Sequence, residues 1–173
     1  MSIALTILQS LYFFLPAYLA NMAPVLFQWL PFLNKPVWEA KLGKNKTWRG
    51  ILVASVTGIF VFWLQKIAYH AGSTSLAMID YDDFPVLLGF LLGLGAILGD
   101  AVKSYYKRKA EIKSGEPWLG FDQLDFVVGG LILSSFYYVP PVEVVVVLFI
   151  ATPILHIGAN HIGYWLGMQK VKF

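Results

Sequence analysis

The chain has 173 residues, 58% hydrophobic and 13% charged, with mean hydropathy +0.66 and a formal net charge of +3. That is far more apolar than a soluble domain of this length. Several runs exceed the roughly 20 apolar residues that span a bilayer core, so an integral membrane protein is expected. Cysteine is absent, which excludes a disulfide framework and thiol redox chemistry.

In chain order, Ser2 to Asn34 carries no charged residue. It is long for one span and short of the roughly 40 residues two would need. Its start has no Lys/Arg flank and its apolar stretch is too long for a signal peptide, so no cleavage is expected. Pro16, Asn21, Pro24 and Pro31 are expected to kink it or end it early, giving one helix and a short interfacial piece over Val25–Leu33. Lys35–Arg49 is polar, with five bases and one acid. Gly43–Gly50 reads as a loop entering a helix that Thr47 caps.

Ile51–Tyr69 reads as the second span, followed by a loop bearing Asp80, Asp82 and Asp83 and no base. Pro85–Ala101 opens the third, Phe126–Val139 is the fourth, stopped by Pro140–Pro141, and Val142–Met168 is the fifth, bent at Pro153. Val144–Val147 is helical despite its β-propensity, because an open strand does not survive in hydrocarbon. The expected fold is an all-α membrane protein of about five spans, residues 1–173 forming a single transmembrane catalytic domain.

Five spans put loops 35–49 and 101–123 on one side with the C-terminus. That side then holds twelve of the thirteen Lys/Arg, Lys170 and Lys172 included, and the other has only Lys66. By the positive-inside rule the N-terminus is outside and the basic loops and C-terminus are cytoplasmic. The positive charge is topology, and a nucleic-acid partner is not expected.

Between the third and fourth spans lies the densest charge, GDAVKSYYKRKAEIKSGEPWLGFDQLD over Gly99–Asp125. The span that delivers it carries two GxxxG pairs, Gly89/Gly93 and Gly95/Gly99, on different faces, so neighbours are expected on two sides. Helical spacing aligns Asp100, Lys103, Ser104 and Lys107, with Arg108 and Lys109 beside them. Gly115 and Pro117 are expected to break the helix. Asp122 and Asp125 share a face where the next span begins, and a carboxylate entering a membrane helix is a functional candidate.

Carboxylates suit a hard divalent cation such as Mg²⁺, and Lys and Arg suit phosphate oxygens. The residues alone leave two readings open. One is transfer chemistry on a phosphate-bearing substrate; the other is a basic patch holding anionic lipid headgroups. His156 and His161, five apart, read as interhelical hydrogen bonding, and His70 as an interfacial residue.

GDAVKSYYKR followed by LGFDQLDFVVGG resembles the signature of the CDP-diacylglycerol synthase (phosphatidate cytidylyltransferase) family. The upstream GKNKTWRG, the small size and the five spans are more similar to its archaeal branch, the CDP-archaeol synthases. Where the bacterial signature has Pro-Gly-His-Gly-Gly, this chain has Pro117-Trp118-Leu119-Gly120-Phe121, so no histidine role is carried over. The resemblance implies an Mg²⁺-dependent cytidylyl transfer from CTP to an unsaturated digeranylgeranyl-glycerol phosphate at the cytoplasmic face, releasing pyrophosphate. It makes Asp100 and Asp122 the metal ligands, with Asp125 close by. Lys103, Ser104, Lys107 and Arg108 become a phosphate-holding stripe, and Lys44, Asn45, Lys46 and Arg49 contacts to triphosphate or cytosine. Membrane lipids are the other partner, and the oligomeric state is open. The alternatives are a CTP-dependent polyprenol or dolichol kinase, or a non-enzymatic lipid carrier; the mid-membrane charges or inverted repeats expected of a carrier are not seen.

Overall fold

The computed structural model describes residues 2–112, 116, 118 and 121–165, the segment 159–165 as backbone alone. Lys113, Gly115 and Pro117, the His161 side chain, Met168, Lys170 and Lys172 lie outside the described residues or side chains. The described chain is helical: α1 (Ile3–Phe13), α2 (Leu15–Leu26), α3 (Glu39–Leu42), α4 (Trp48–His70), α5 (Leu87–Lys109), α6 (Phe121–Ser134) and α7 (Val142–Trp165). Among the described residues the only β pairing is an isolated bridge between Pro36 and Thr47.

The uncharged N-terminal run is a bent pair, α1 and α2 meeting at 47°. The break falls at Phe14, two residues before Pro16, while Asn21 and Pro24 lie within α2 rather than ending it. Pro16 has no N–H for the carbonyl of Tyr12, one turn back. Gln65 of α4 supplies the missing donor, its Nε2 bonding Tyr12 O at 2.5 Å. In lipid a carbonyl freed by proline must be satisfied from within the protein, so the bend and the buried glutamine belong together.

Thr47 caps α4 as expected, its Oγ1 accepting from the N–H of Gly50 at 3.1 Å. The faces of α4 are sorted by size: Ala54, Ser55 and Gly58 point inward, while Val56, Phe60 and Trp63 are exposed. An apolar exterior over a small-residue interior suits a helix that packs in lipid. In the following loop Tyr81 is fully buried beneath Tyr12, Phe62 and Tyr69. Lys66 holds that loop down, donating to the carbonyls of Tyr81 and Phe84.

Helix α5 sits between two neighbours, as its glycines anticipate. Gly89 and Gly93 lie against Gly58 and Phe62 of α4, and Gly95 and Gly99 against α6, where an added methyl would be 2.4 Å and 2.1 Å from backbone oxygens of Gly129 and Asp125. The core runs through all the long helices, with Phe13, Phe62, Leu92, Val127 and Leu148 among its members.

Two ends differ from expectation. Helix α5 stops at Lys109, with Ala110 as its cap and Glu111 at φ 60°, before the Gly115–Pro117 segment is reached. Helix α6 begins at Phe121 and ends at Ser134, short of the expected Val139; at 1.5 Å per residue it is about 21 Å long. Among the described residues, α4 and α5 are each long and apolar enough to cross a membrane, and the bent α1–α2 pair counts as a third.

Candidate active site

Helix α5 runs past its apolar part without a break, so Asp100, Lys103 and Lys107 project from successive turns toward the start of α6. The close approach of Gly95 and Gly99 to α6 brings its first two turns alongside. There Asp122 and Asp125 share a face.

The result is a cluster centred on the ammonium of Lys103. Its Nζ lies 3.1 Å from Asp100 Oδ1, 2.9 Å from Asp122 Oδ1 and 2.6 Å from Asp125 Oδ2. Lys107 adds contacts to both oxygens of Asp122 at 3.2 and 3.3 Å. Lys46 arrives from the loop before α4 and pairs with Asp100 Oδ2. The backbone N–H of Trp118 donates to Asp122 Oδ2 at 2.6 Å, fixing that carboxylate at the start of α6. Three ammonium groups thus face three carboxylates. The Lys103 and Asp125 side chains are only 14% and 5% exposed. Charges this deep are tolerated because they neutralise one another; an isolated one is penalised by several kcal/mol.

All four residues expected to be catalytic, Asp100, Lys103, Asp122 and Asp125, therefore meet at one place, joined by Lys46 and Lys107. Ser104 is buried and its hydroxyl donates to Asp100 O on its own helix. Arg108 is turned to the carbonyl of Ile112. Arg49 is buried, with Nη1 donating to Leu30 O at 2.7 Å. Lys44 is 83% exposed and lies 3.7 Å from Glu39. Lys44, Asn45, Lys46 and Arg49 all line the same cavity as Asp100.

That cavity, about 520 Å³, lies between the end of α2, the loop before α4 and α5. A second opening, an apolar groove of about 980 Å³, runs along the α5–α6 seam on the other side. Leu98, Val102, Val128 and Ile132 line it together with Lys103 and Asp125, and Tyr106, Trp118 and Phe121 continue it past those two. Members of the charged cluster line both: Lys46 and Asp100 the polar cavity, Lys103 and Asp125 the apolar groove.

A divalent cation is compatible with the donor set. Asp100 and Asp122 offer hard oxygens, and both already lie within 3.1 Å of a single cation, the Lys103 ammonium. Among the described residues no three carboxylates or imidazoles form a ready-made metal nest. Mg²⁺ takes one or two carboxylates and completes its shell with water and substrate phosphate, a number that Asp100 and Asp122 could supply.

Two residues near the site were not assigned to it from sequence. Asn21 lines the polar cavity; its signal was an amide within an uncharged apolar run. His156 of α7 stands within electrostatic reach of Asp122 and Lys103, which its spacing from His161 did not reveal.

A family described as CarS-like, CDP-archaeol synthase, matches residues 3–173. A Thermofilum pendens protein named CDP-archaeol synthase is 36% identical, over 95% of this chain and 80% of its own length. One from Thermococcus gammatolerans, of the same name, is 35% identical over 95% of both chains. A solved structure titled as an intramembrane enzyme for archaeal membrane lipids biosynthesis superposes with a TM-score of 0.68. It is 30% identical and covers 89% of this chain and 94% of that one.

Proposed function

This chain belongs to the CDP-archaeol synthase family, and we propose that it makes CDP-archaeol by a single in-line cytidylyl transfer. The phosphate oxygen of an unsaturated digeranylgeranyl-glycerol phosphate attacks the α-phosphorus of CTP. A new P–O bond forms, the bond from the α-phosphorus to the α,β-bridging oxygen breaks, and pyrophosphate leaves with that electron pair. No covalent enzyme intermediate is needed, since the lipid phosphate is itself the nucleophile.

The observation that carries this reading is the pair of chambers meeting at one charged cluster. The polar cavity, with Lys44, Asn45, Lys46 and Arg49 on its walls, suits a nucleoside triphosphate. The apolar groove, which Lys103 and Asp125 also line, suits a lipid tail whose phosphate meets the cluster there. Lys103 holds phosphate oxygens from the groove side and Lys46 from the nucleotide side. Lys107 positions Asp122. These cations neutralise charge as it shifts from the attacking to the leaving oxygen, which is where most of the catalysis of phosphoryl-type transfer lies. Asp100 and Asp122 would hold Mg²⁺, which supplies Lewis-acid polarisation of the phosphate; Asp125 keeps Lys103 in place.

The same reading places residues 1–173 in one transmembrane catalytic domain with five spans, the N-terminus outside and the site cytoplasmic. It is supported by the Lys46–Asp100 pair, which puts both basic loops at one end of the molecule, opposite the loop with Asp80, Asp82 and Asp83. The positive-inside rule assigns the basic end to the cytoplasm.

Purified protein incubated with labelled CTP, Mg²⁺ and either the lipid phosphate or a polyprenol tests this. CDP-lipid and pyrophosphate are the expected products. Phosphorylated polyprenol and CDP would identify a kinase instead.

A further inference from the structure

Residues 37–46 form a closed loop in front of α4. At its base Pro36 and Thr47 are bridged, and the N–H of Val37 donates to Lys46 O at 2.7 Å. Between those ends lie α3 and Gly43, whose φ of 85° turns the chain back toward α4. Val37, Leu42, Lys44, Asn45 and Lys46 of this loop line the polar cavity. What the loop contributes to the cavity therefore depends on where it is held.

Its own structure does little to hold it. A helix of four residues is far below the length that is stable in water, and α3 buries none of its side chains. Toward α5, two of its side chains make contact. Lys46 pairs with Asp100. Lys41 places its ammonium over the ring of Trp38, 4.2 Å from the centroid, and 5.8 Å from the centroid of Tyr105. Cations are attracted to a ring face within about 6 Å. Trp38 belongs to the loop. Tyr105 belongs to α5, one turn beyond Ala101 of the cavity wall, so the ammonium joins the tip of the loop to the helix that carries Asp100 and Lys103. Trp38, Lys41 and Tyr105 do not themselves line the cavity.

Resting on the proposed function, we propose that Lys41, seated between Trp38 and Tyr105, is a latch that fastens this loop to α5 and so keeps Lys46 and its neighbours closed on a bound nucleotide. The three are positioning residues. They act through the cavity wall and touch no substrate. With the latch released, the loop stays attached at its base but swings from α5, and nucleotide leaves sooner. The groove and the contacts of Lys103 keep their geometry, so the defect belongs to CTP alone.

The test uses four single variants and one double. Lys41→Met keeps length and removes the charge, whereas Lys41→Arg keeps a cation that stacks on rings. Tyr105→Leu removes the ring, whereas Tyr105→Phe keeps its face. At saturating lipid phosphate, Lys41→Met should raise the CTP KM by roughly 3- to 10-fold, the range set by cation–π contacts of ordinary strength. Tyr105→Leu should raise it by a smaller factor, because Trp38 still holds the ammonium. The kcat and the lipid-phosphate KM should stay at wild type, and so should the unfolding temperature of Lys41→Met. The double variant Lys41→Met/Tyr105→Leu should match Lys41→Met, since the ring then has no cation to bind. Lys41→Arg and Tyr105→Phe should restore the wild-type KM. Release of CTP from the protein with Mg²⁺ and without lipid phosphate should quicken in the same order. An unchanged CTP KM in Lys41→Met, losses that multiply in the double variant, or a fall in kcat in place of the rise in KM overturns the latch and leaves the proposed function standing. A wild-type protein that forms no CDP-lipid from CTP overturns the proposed function itself.

Discussion

Gly99 and the backbone carbonyl of Asp125 touch across the α5–α6 seam, so that a methyl group built on Gly99 would lie 2.1 Å from that oxygen. Backbone cannot yield as a flexible side chain does. Gly99→Ala should therefore push α6 away, widening the gap between Lys103 and the carboxylates of Asp122 and Asp125. Overpacking of this kind costs about 1–3 kcal/mol of stability. A displacement near 1 Å at a phosphoryl-transfer site costs on the order of 100-fold in rate. Activity and thermal unfolding in detergent should both fall. Gly158→Ala, on α7 with no atom within 4 Å of the added methyl, should change neither.

Lys103 and Lys44 should separate sharply. Lys103 contacts three carboxylates, whereas Lys44 is 83% exposed beside Glu39. Lys103→Ala leaves buried carboxylates short of a partner, a loss of about 3–5 kcal/mol when a buried pair is broken, and activity should fall by at least about 100-fold. Lys44→Ala should leave stability unchanged, as surface ion pairs contribute little, and change turnover by less than about threefold, any loss showing in the CTP KM because Lys44 lines the polar cavity. Steady-state kinetics beside unfolding curves distinguish them; equal effects would move the phosphate-holding role out of the cluster.

The bond between Gln65 and Tyr12 O predicts an interaction visible in stability alone. Gln65→Leu strands the carbonyl that Pro16 cannot serve and should cost about 1–3 kcal/mol. In a Pro16→Ala background residue 16 regains its N–H, and the penalty of Gln65→Leu should shrink. The double-mutant cycle in unfolding free energy measures that coupling. Purely additive losses would mean that Gln65 serves packing rather than the proline break.

These tests divide along what the sequence made legible. The stripe Asp100–Lys103–Lys107 and the two glycine pairs follow from helical periodicity, and all lie on one uninterrupted helix, where such spacing is most informative. Thr47 was readable for the same local reason. The partners of Pro16 and Lys66 were not, because each is distant in sequence, nor was the place of Asn21, which depends on an empty space between helices. The early end of α6 was hidden too: Ser135–Val139 is uncharged and runs straight on to Pro140, so nothing in the sequence marks a stop at Ser134.

The two-chamber arrangement gives the last prediction. Val128 lines only the apolar groove, and Lys46 only the polar cavity. Val128→Trp fills the groove with an indole and should raise the lipid-phosphate KM by roughly tenfold or more, the scale of a lost apolar contact of this size, with the CTP KM unchanged. Lys46→Ala should do the reverse, weakening CTP by removing an ammonium that faces the triphosphate. Asp100→Asn and Asp122→Asn should behave differently from both. If the two carboxylates share Mg²⁺, each single change should lower turnover on the order of 1000-fold, the double should add little, and the Mg²⁺ concentration for half-maximal rate should rise in each single variant. The expected pattern is two independent substrate defects and one non-additive pair between them, read from full kinetics against CTP, lipid phosphate and Mg²⁺. A Val128→Trp enzyme that loses CTP affinity along with lipid affinity would mean that both substrates enter one chamber, and the assignment of one substrate to each would have to be abandoned.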